Sequence, residues 1–188
     1  MNIRKIGRGI VLPDKKIKKL IEEFILNNFN SPNKILDFGS GTLFWSEWFA
    51  KTFNCSTIAY DPLYEKNPID NKDKRIETAW KFNIDKSFDG VFVCDVLHHL
   101  NKNDLEETLS KMASNAKWII IKDIEAADFL GNLQNKIHDL IINRTKTIDI
   151  YSDKLEDFLI KNGFETQKSY MKKLGYPHFL LLAKKIEN

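Results

Sequence analysis

Apolar and polar residues follow two periods that take turns along this chain. From Lys15 to Phe29 the apolar positions Ile17, Leu20, Ile21, Phe24 and Ile25 return every three or four residues, which predicts an amphipathic helix packed on a sheet. Ser31-Pro32-Asn33 ends it, and Lys34–Phe38 is a short apolar run of strand character. A helix is expected over Leu43–Phe53, where Phe44, Trp45, Trp48, Phe49 and Phe53 form an aromatic stripe suited to a sheet. A strand at Ser56–Tyr60, a polar loop over Leu63–Lys74 and a brief strand near Arg75–Thr78 follow. Val91, Phe92 and Val93 belong to a continuous apolar run, as in a strand covered on both faces. Next come a helix over Lys102–Ser114 capped by Asn101 or Asn103, a strand at Trp118–Lys122, and a helical pattern within AADFLGNLQNKIHDLIINRTKT. The last helix begins at Tyr151-Ser152-Asp153 and stops at Asn162-Gly163. Glu165–Lys173 and His178–Lys185 read as two strands that can form an antiparallel hairpin.

Strands alternating with helices predict an α/β sandwich, and its chemistry is expected where the first strand enters a glycine-bounded turn, Ile35-Leu36-Asp37-Phe38-Gly39-Ser40-Gly41-Thr42. An ionisable Asp37 inside an apolar run is costly without a partner. Gly39 and Gly41 remove side chains where the backbone turns tightly and approaches a ligand, and Thr42 is placed to cap the helix. Strand, turn and helix N-terminus together make a nucleotide-sized site. The dinucleotide fingerprint G-x-G-x-x-G fails at Phe44, which is too large for the third glycine's close contact. Asp61 ends the second strand where a carboxylate can hold a ribose diol.

The 188 residues fit one domain, covering 1–188, with an N-terminal arm and helix over about 1–30. A net charge of +3, with lysines spread along the chain, gives no electrostatic case for binding nucleic acid. Cys55 and Cys94 are far apart and read as buried thiols, which points to a reducing cytoplasm. The N-terminus has no signal-peptide core and no apolar run reaches the length of a membrane span, so a soluble protein is expected. His98 and His99 are adjacent on a turn and point apart, so no metal site is expected there.

The D-x-G-x-G of Asp37, Gly39 and Gly41 resembles the first motif of class I S-adenosylmethionine-dependent methyltransferases. Phe88-Asp89-Gly90-Val91, leading into Asp95-Val96-Leu97-His98-His99-Leu100, resembles the fourth-strand motif of the small-molecule, ubiquinone-biosynthesis type. The resemblance implies a seven-stranded sheet of order 3-2-1-4-5-7-6 with the last strand antiparallel. It implies S-adenosylmethionine as cofactor, with Asp37, Phe38, Gly39, Ser40 and Gly41 about its amino acid end, Asp37 facing the ammonium. Asp61 and Pro62 fall at the ribose, Glu77 and Thr78 beside the adenine, and Asp95 and Val96 near the sulfonium. A small-molecule acceptor would be covered by a lid over about 123–147, where Asp123, Glu125, His138 and Asp139 are titratable. His138, His98 and Asp123 are the catalytic candidates. A cofactor-binding module without turnover and a nicotinamide oxidoreductase are the competing readings.

Overall fold

The computed structural model describes residues 14–29, 31–82, 88–128, 132, 133, 136, 140, 147–173 and 176–186. Helix α1 (Asp14–Asn28) precedes β1 (Lys34–Phe38), α2 (Phe44–Phe53) and β2 (Ser56–Tyr60). A short 3₁₀ turn (Pro62–Glu65), β3 (Ile76–Ala79), β4 (Phe88–Cys94) and a second 3₁₀ turn (Leu97–His99) come next. The chain continues through α3 (Lys102–Asn115), β5 (Ala116–Ile124), α4 (Ser152–Lys161), β6 (Phe164–Lys173) and β7 (Tyr176–Lys185).

The seven described strands join one sheet in the order β3-β2-β1-β4-β5-β7-β6, the order that the resemblance implies, and β7 runs antiparallel between β5 and β6. Strand alternation sends neighbouring residues of β5 to opposite sides. Trp118 and Ile120 join Ile35, Phe92, Leu180 and Leu182 under α1 and α2, which contribute Ile17, Ile21, Trp45 and Phe49. Ile119 and Ile121 join Leu36, Val91, Phe179 and Leu181 under α3 and α4, which contribute Leu109, Met112, Leu155 and Leu159. Two covered faces explain why β4 and β5 are apolar without alternation.

Strand β5 is longer than the sequence suggests. Its pairing with β7 continues through Asp123↔Phe179 to Ile124↔His178, so Asp123 lies inside the sheet and not in a lid. Glu125 is also structural, because its carboxylate accepts from the backbone N–H of Ala127 at 3.0 Å and of Ser152 at 3.3 Å, at the start of α4. Thr42 does not occupy the cap position of α2. The residue in the cap position is Leu43, at φ 64° and with no side-chain cap bond.

The Asp89-Gly90 pair serves the opposite end of the sheet from the glycine turn. Asp89 accepts from the N–H of Asn33 (2.7 Å) and Lys34 (3.0 Å) and from Lys117 Nζ (2.8 Å). Gly90 sits directly beside Trp118 in register, and a Cβ there would lie 1.9 Å from the indole ring. Gly90→Ala is therefore expected to destabilise the fold by about 3 kcal/mol through overpacking. A urea midpoint equal to wild type would contradict this packing.

Candidate functional site

The turn after β1 passes through left-handed backbone at every second position. Gly39 has φ 77°, Gly41 φ 54° and Leu43 φ 64°, so alternate positions occupy the left-handed region that only glycine enters freely. Contacts from outside the turn hold this path. The N–H groups of Gly39 and Ser40 both donate to the carbonyl of Tyr60, at 2.8 and 2.9 Å, at the end of β2. Asp61 then accepts from Gly41 N–H through Oδ2 (3.0 Å) and from Leu63 N–H through Oδ1 (2.9 Å). Tyr64 completes the fastening, its hydroxyl lying 2.9 Å from the Gly41 carbonyl and 2.8 Å from Ser40 Oγ. Pro62 opens the 3₁₀ turn that carries Tyr64 and is itself exposed.

Asp37 does not face outward. It is 1% exposed and accepts from the Ser46 hydroxyl of α2 at 2.5 Å. Phe38, at the strand end, packs against Tyr60 and Phe82 with ring centroids 4.9 Å away in each case, and Tyr60 and Phe82 are 5.2 Å apart. This aromatic trio caps β1 and β2 on the α3/α4 side and leaves Tyr60 and Phe82 part-exposed. Glu77 and Thr78 are exposed on β3, the edge strand, and Thr78 shares a hollow of about 270 Å³ with Tyr64, Ile69 and Trp80.

Past the carboxyl ends of β4 and β5 a polar cluster occupies each face. On the α3/α4 side, His98 Nδ1 lies 2.5 Å from Asp123 Oδ1. Asp123 also accepts from Ile124 N–H (2.7 Å) and, through Oδ2, from Leu97 N–H (2.9 Å), and it is fully buried. Two of the three catalytic candidates are thus brought together, with the carboxylate orienting the imidazole. His99 is exposed and its ring lies beside that of His98, at 4.1 Å. His138 and Asp139 lie outside the described residues.

On the α1/α2 side Lys122 is buried completely, and its ammonium contacts both carboxylate oxygens of Asp95. Asp95 follows β4 with φ 56°, which is left-handed backbone at a non-glycine residue. His178 of β7 is 3% exposed, its Nδ1 stands 3.6 Å from Asp95 Oδ1, and neither ring nitrogen has a hydrogen-bond partner among the described residues. Burial would raise the Asp95 carboxyl, but the Lys122 ammonium outweighs it and holds the group at about 2. Burial, reinforced by Lys122, pushes His178 down to about 4. Among the described residues no group of His, Cys, Asp and Glu is arranged to hold a metal ion, and no helix is long and apolar enough to cross a membrane.

Sequence reasoning passed over Ser46, Tyr64, Phe82, Lys122 and His178. Lys122 carried a usable signal, since an ammonium directly after Trp118-Ile119-Ile120-Ile121 needs a buried partner. His178 has a measurable consequence. Its folded pKa, about 4, lies below the ordinary 6.5, so the unfolded chain binds the proton more readily. The folded state keeps its full advantage above pH 6.5 and loses it as the pH falls towards 4. Urea unfolding at pH 7 and pH 5 is expected to show about 2 kcal/mol lost to this group, and His178→Phe is expected to lose that much less. An unchanged difference between the two pH values in the variant would contradict the assignment.

Several solved structures share the fold. A SAM-dependent methyltransferase from Archaeoglobus fulgidus is 18% identical, with 91% of this chain and 94% of that one covered and a TM-score of 0.69. Magnesium protoporphyrin IX methyltransferase from Synechocystis PCC 6803 with bound SAH is 17% identical, with 99% and 89% covered and a TM-score of 0.71. Human N-acetylserotonin methyltransferase in complex with SAM is 15% identical, with 91% of this chain and 54% of that one covered and a TM-score of 0.62. No curated protein matches the sequence. At such identities the likeness speaks for the fold, and the sequence match of a family described as a methyltransferase domain, over residues 13–169, goes further. This chain belongs to that methyltransferase domain family.

Proposed function

We propose that this protein transfers a methyl group from S-adenosylmethionine to a small-molecule acceptor. The observation that carries the reading is the left-handed turn at Gly39 and Gly41, fastened to Asp61 at the carboxyl edge of a sheet of methyltransferase order. The residues fit an adenosine-bearing cofactor. Gly39 and Gly41 leave the backbone open to close approach, Asp61 supplies acceptor oxygens for a ribose diol, and Phe38, Tyr60 and Phe82 offer an aromatic border for an adenine. Pro62, Glu77 and Thr78 are assigned to the rim of that site, and Val96 to its sulfonium side. When bound, S-adenosylmethionine supplies a methyl group on a positively charged sulfur, already activated for in-line displacement.

The protein then has to align the acceptor, exclude water and deal with a proton. His98 is assigned that last task. An imidazole held through Nδ1 by a buried carboxylate is oriented and its protonated form stabilised, as suits removal of a proton from a hydroxyl acceptor. His138 is the second candidate base, from the lid-like segment that follows β5. We infer a reducing cytoplasmic setting, in keeping with Cys55 and Cys94 being outside any disulfide, and no nucleic-acid partner.

Calorimetric titration with S-adenosylhomocysteine and with NAD tests the cofactor. Binding of the first and not the second is expected, with Asp61→Ala weakening it by about 1.5–3 kcal/mol. Binding of NAD alone would contradict the proposal. Once a screen following S-adenosylhomocysteine release identifies an acceptor, His98→Ala should lower turnover by about 10²–10⁴ and remove the acid limb of the pH profile, with cofactor affinity retained. If His98→Ala turns over normally and His138→Ala does not, the base is His138.

A further inference from the structure

Two aspartates flank the glycine turn, Asp37 inside β1 and Asp95 just past the adjacent strand β4. Their carboxylates face different surroundings. Asp37 is 1% exposed and accepts from the Ser46 hydroxyl. Asp95 keeps 41% of its side chain exposed while Lys122 grips it from within the fold.

Three costs converge on that half-open carboxylate. Left-handed backbone at a non-glycine residue is strained, an ammonium buried completely has lost its water, and an imidazole with both nitrogens buried and unpartnered forfeits hydrogen bonds. Apolar side chains at Lys122 and His178 would serve stability as well or better. What the cluster does achieve is a carboxylate kept charged and fixed in place with part of its side chain exposed. With His178 held neutral, Lys122 is the cation that contacts the carboxylate among the described residues, and the carboxylate's exposed side can accept from a cationic ligand group.

Position selects the ligand group. Val96, the next residue, fills the space over Gly39, where an added Cβ would lie 2.2 Å from Val96 Cγ2. Asp95 therefore stands beside the glycine turn. Its partners Lys122 and His178 share the strand faces of Ile120 and Leu180, under α1 and α2, whereas Phe38, Tyr60 and Phe82 lie on the opposite side of the sheet. A cofactor with its adenine at the aromatic trio would carry its amino acid end across the carboxyl edge towards Asp95.

We propose that Asp95, positioned by Lys122, receives the ammonium of the cofactor's amino acid, and that Asp37 instead orients the start of α2 through Ser46. The proposal rests on the cofactor reading above and replaces the expectation that Asp37 meets the ammonium. Calorimetry with two probes separates the roles: S-adenosylhomocysteine, and 5′-methylthioadenosine, which keeps the nucleoside and thioether but lacks the amino acid. Asp95→Asn should weaken S-adenosylhomocysteine about ten- to hundredfold and leave 5′-methylthioadenosine within about twofold. Asp37→Asn should change both probes by the same factor. Because Asp95→Asn leaves Lys122 buried without its partner, the double variant Asp95→Asn with Lys122→Met is measured beside it, and the same selective loss is expected. Wild-type protein that binds neither probe overturns both readings. Wild-type protein that binds both overturns only the Asp95 assignment, if Asp95 variants bind S-adenosylhomocysteine normally, lose both probes equally, or leave the selective loss to Asp37→Asn.

Discussion

A turn that passes through left-handed backbone at Gly39, Gly41 and Leu43 has no local reason to hold one shape, because glycine permits many. Here the shape is imposed by the neighbouring strand end. Asp61 accepts from Gly41, Tyr64 reaches the Gly41 carbonyl, and the Tyr60 carbonyl takes the next two N–H groups back along the turn. In the proposed function, a site that meets its ligand with bare backbone is thereby ordered before the ligand arrives, which lowers the entropy cost of binding. The same carboxylate proposed to face the ribose also maintains the turn, so loss of Asp61 acts on both.

The sheet makes the second contribution, through its alternation. Residues at the carboxyl ends of β4 and β5 and at the start of antiparallel β7 alternate between the two faces, and each face ends in a polar cluster. His98 with Asp123 occupies one face, Asp95 with Lys122 and His178 the other. The charges are close enough to act on one another, since Lys122, Asp95, Asp123 and His98 all contribute to the position of His178. In the proposed site, Asp123, Lys122 and His178 are set by strand register, and they hold His98 and Asp95, which follow β4. Sites built on strands hold their geometry more closely than sites on loops.

Much of this was legible in the sequence for physical reasons. Period-3.6 and continuous apolar runs gave the element order, and the Lys34–Phe38 strand running into Gly39 located the turn. Element ends were harder. The extension of β5 to Ile124 depends on β7 crossing beside it, a pairing between residues more than fifty positions apart that no local pattern reports. The same pairing turned Asp123 from a presumed lid residue into the partner of His98. Thr42 looked like a cap by residue type, but the left-handed Leu43 already occupies the cap position. Lys122, His178 and Tyr64 acquire meaning only from neighbours distant in sequence.

A crystal structure of the protein with S-adenosylhomocysteine tests the central claim most directly. The account predicts the ribose hydroxyls within hydrogen-bond distance of Asp61, the adenine against Tyr60 and Phe82, and the backbone of Gly39 to Gly41 alongside the amino acid end. A nucleoside bound away from the Gly39–Gly41 turn, with Asp61 still engaged only by Gly41 and Leu63, would contradict it.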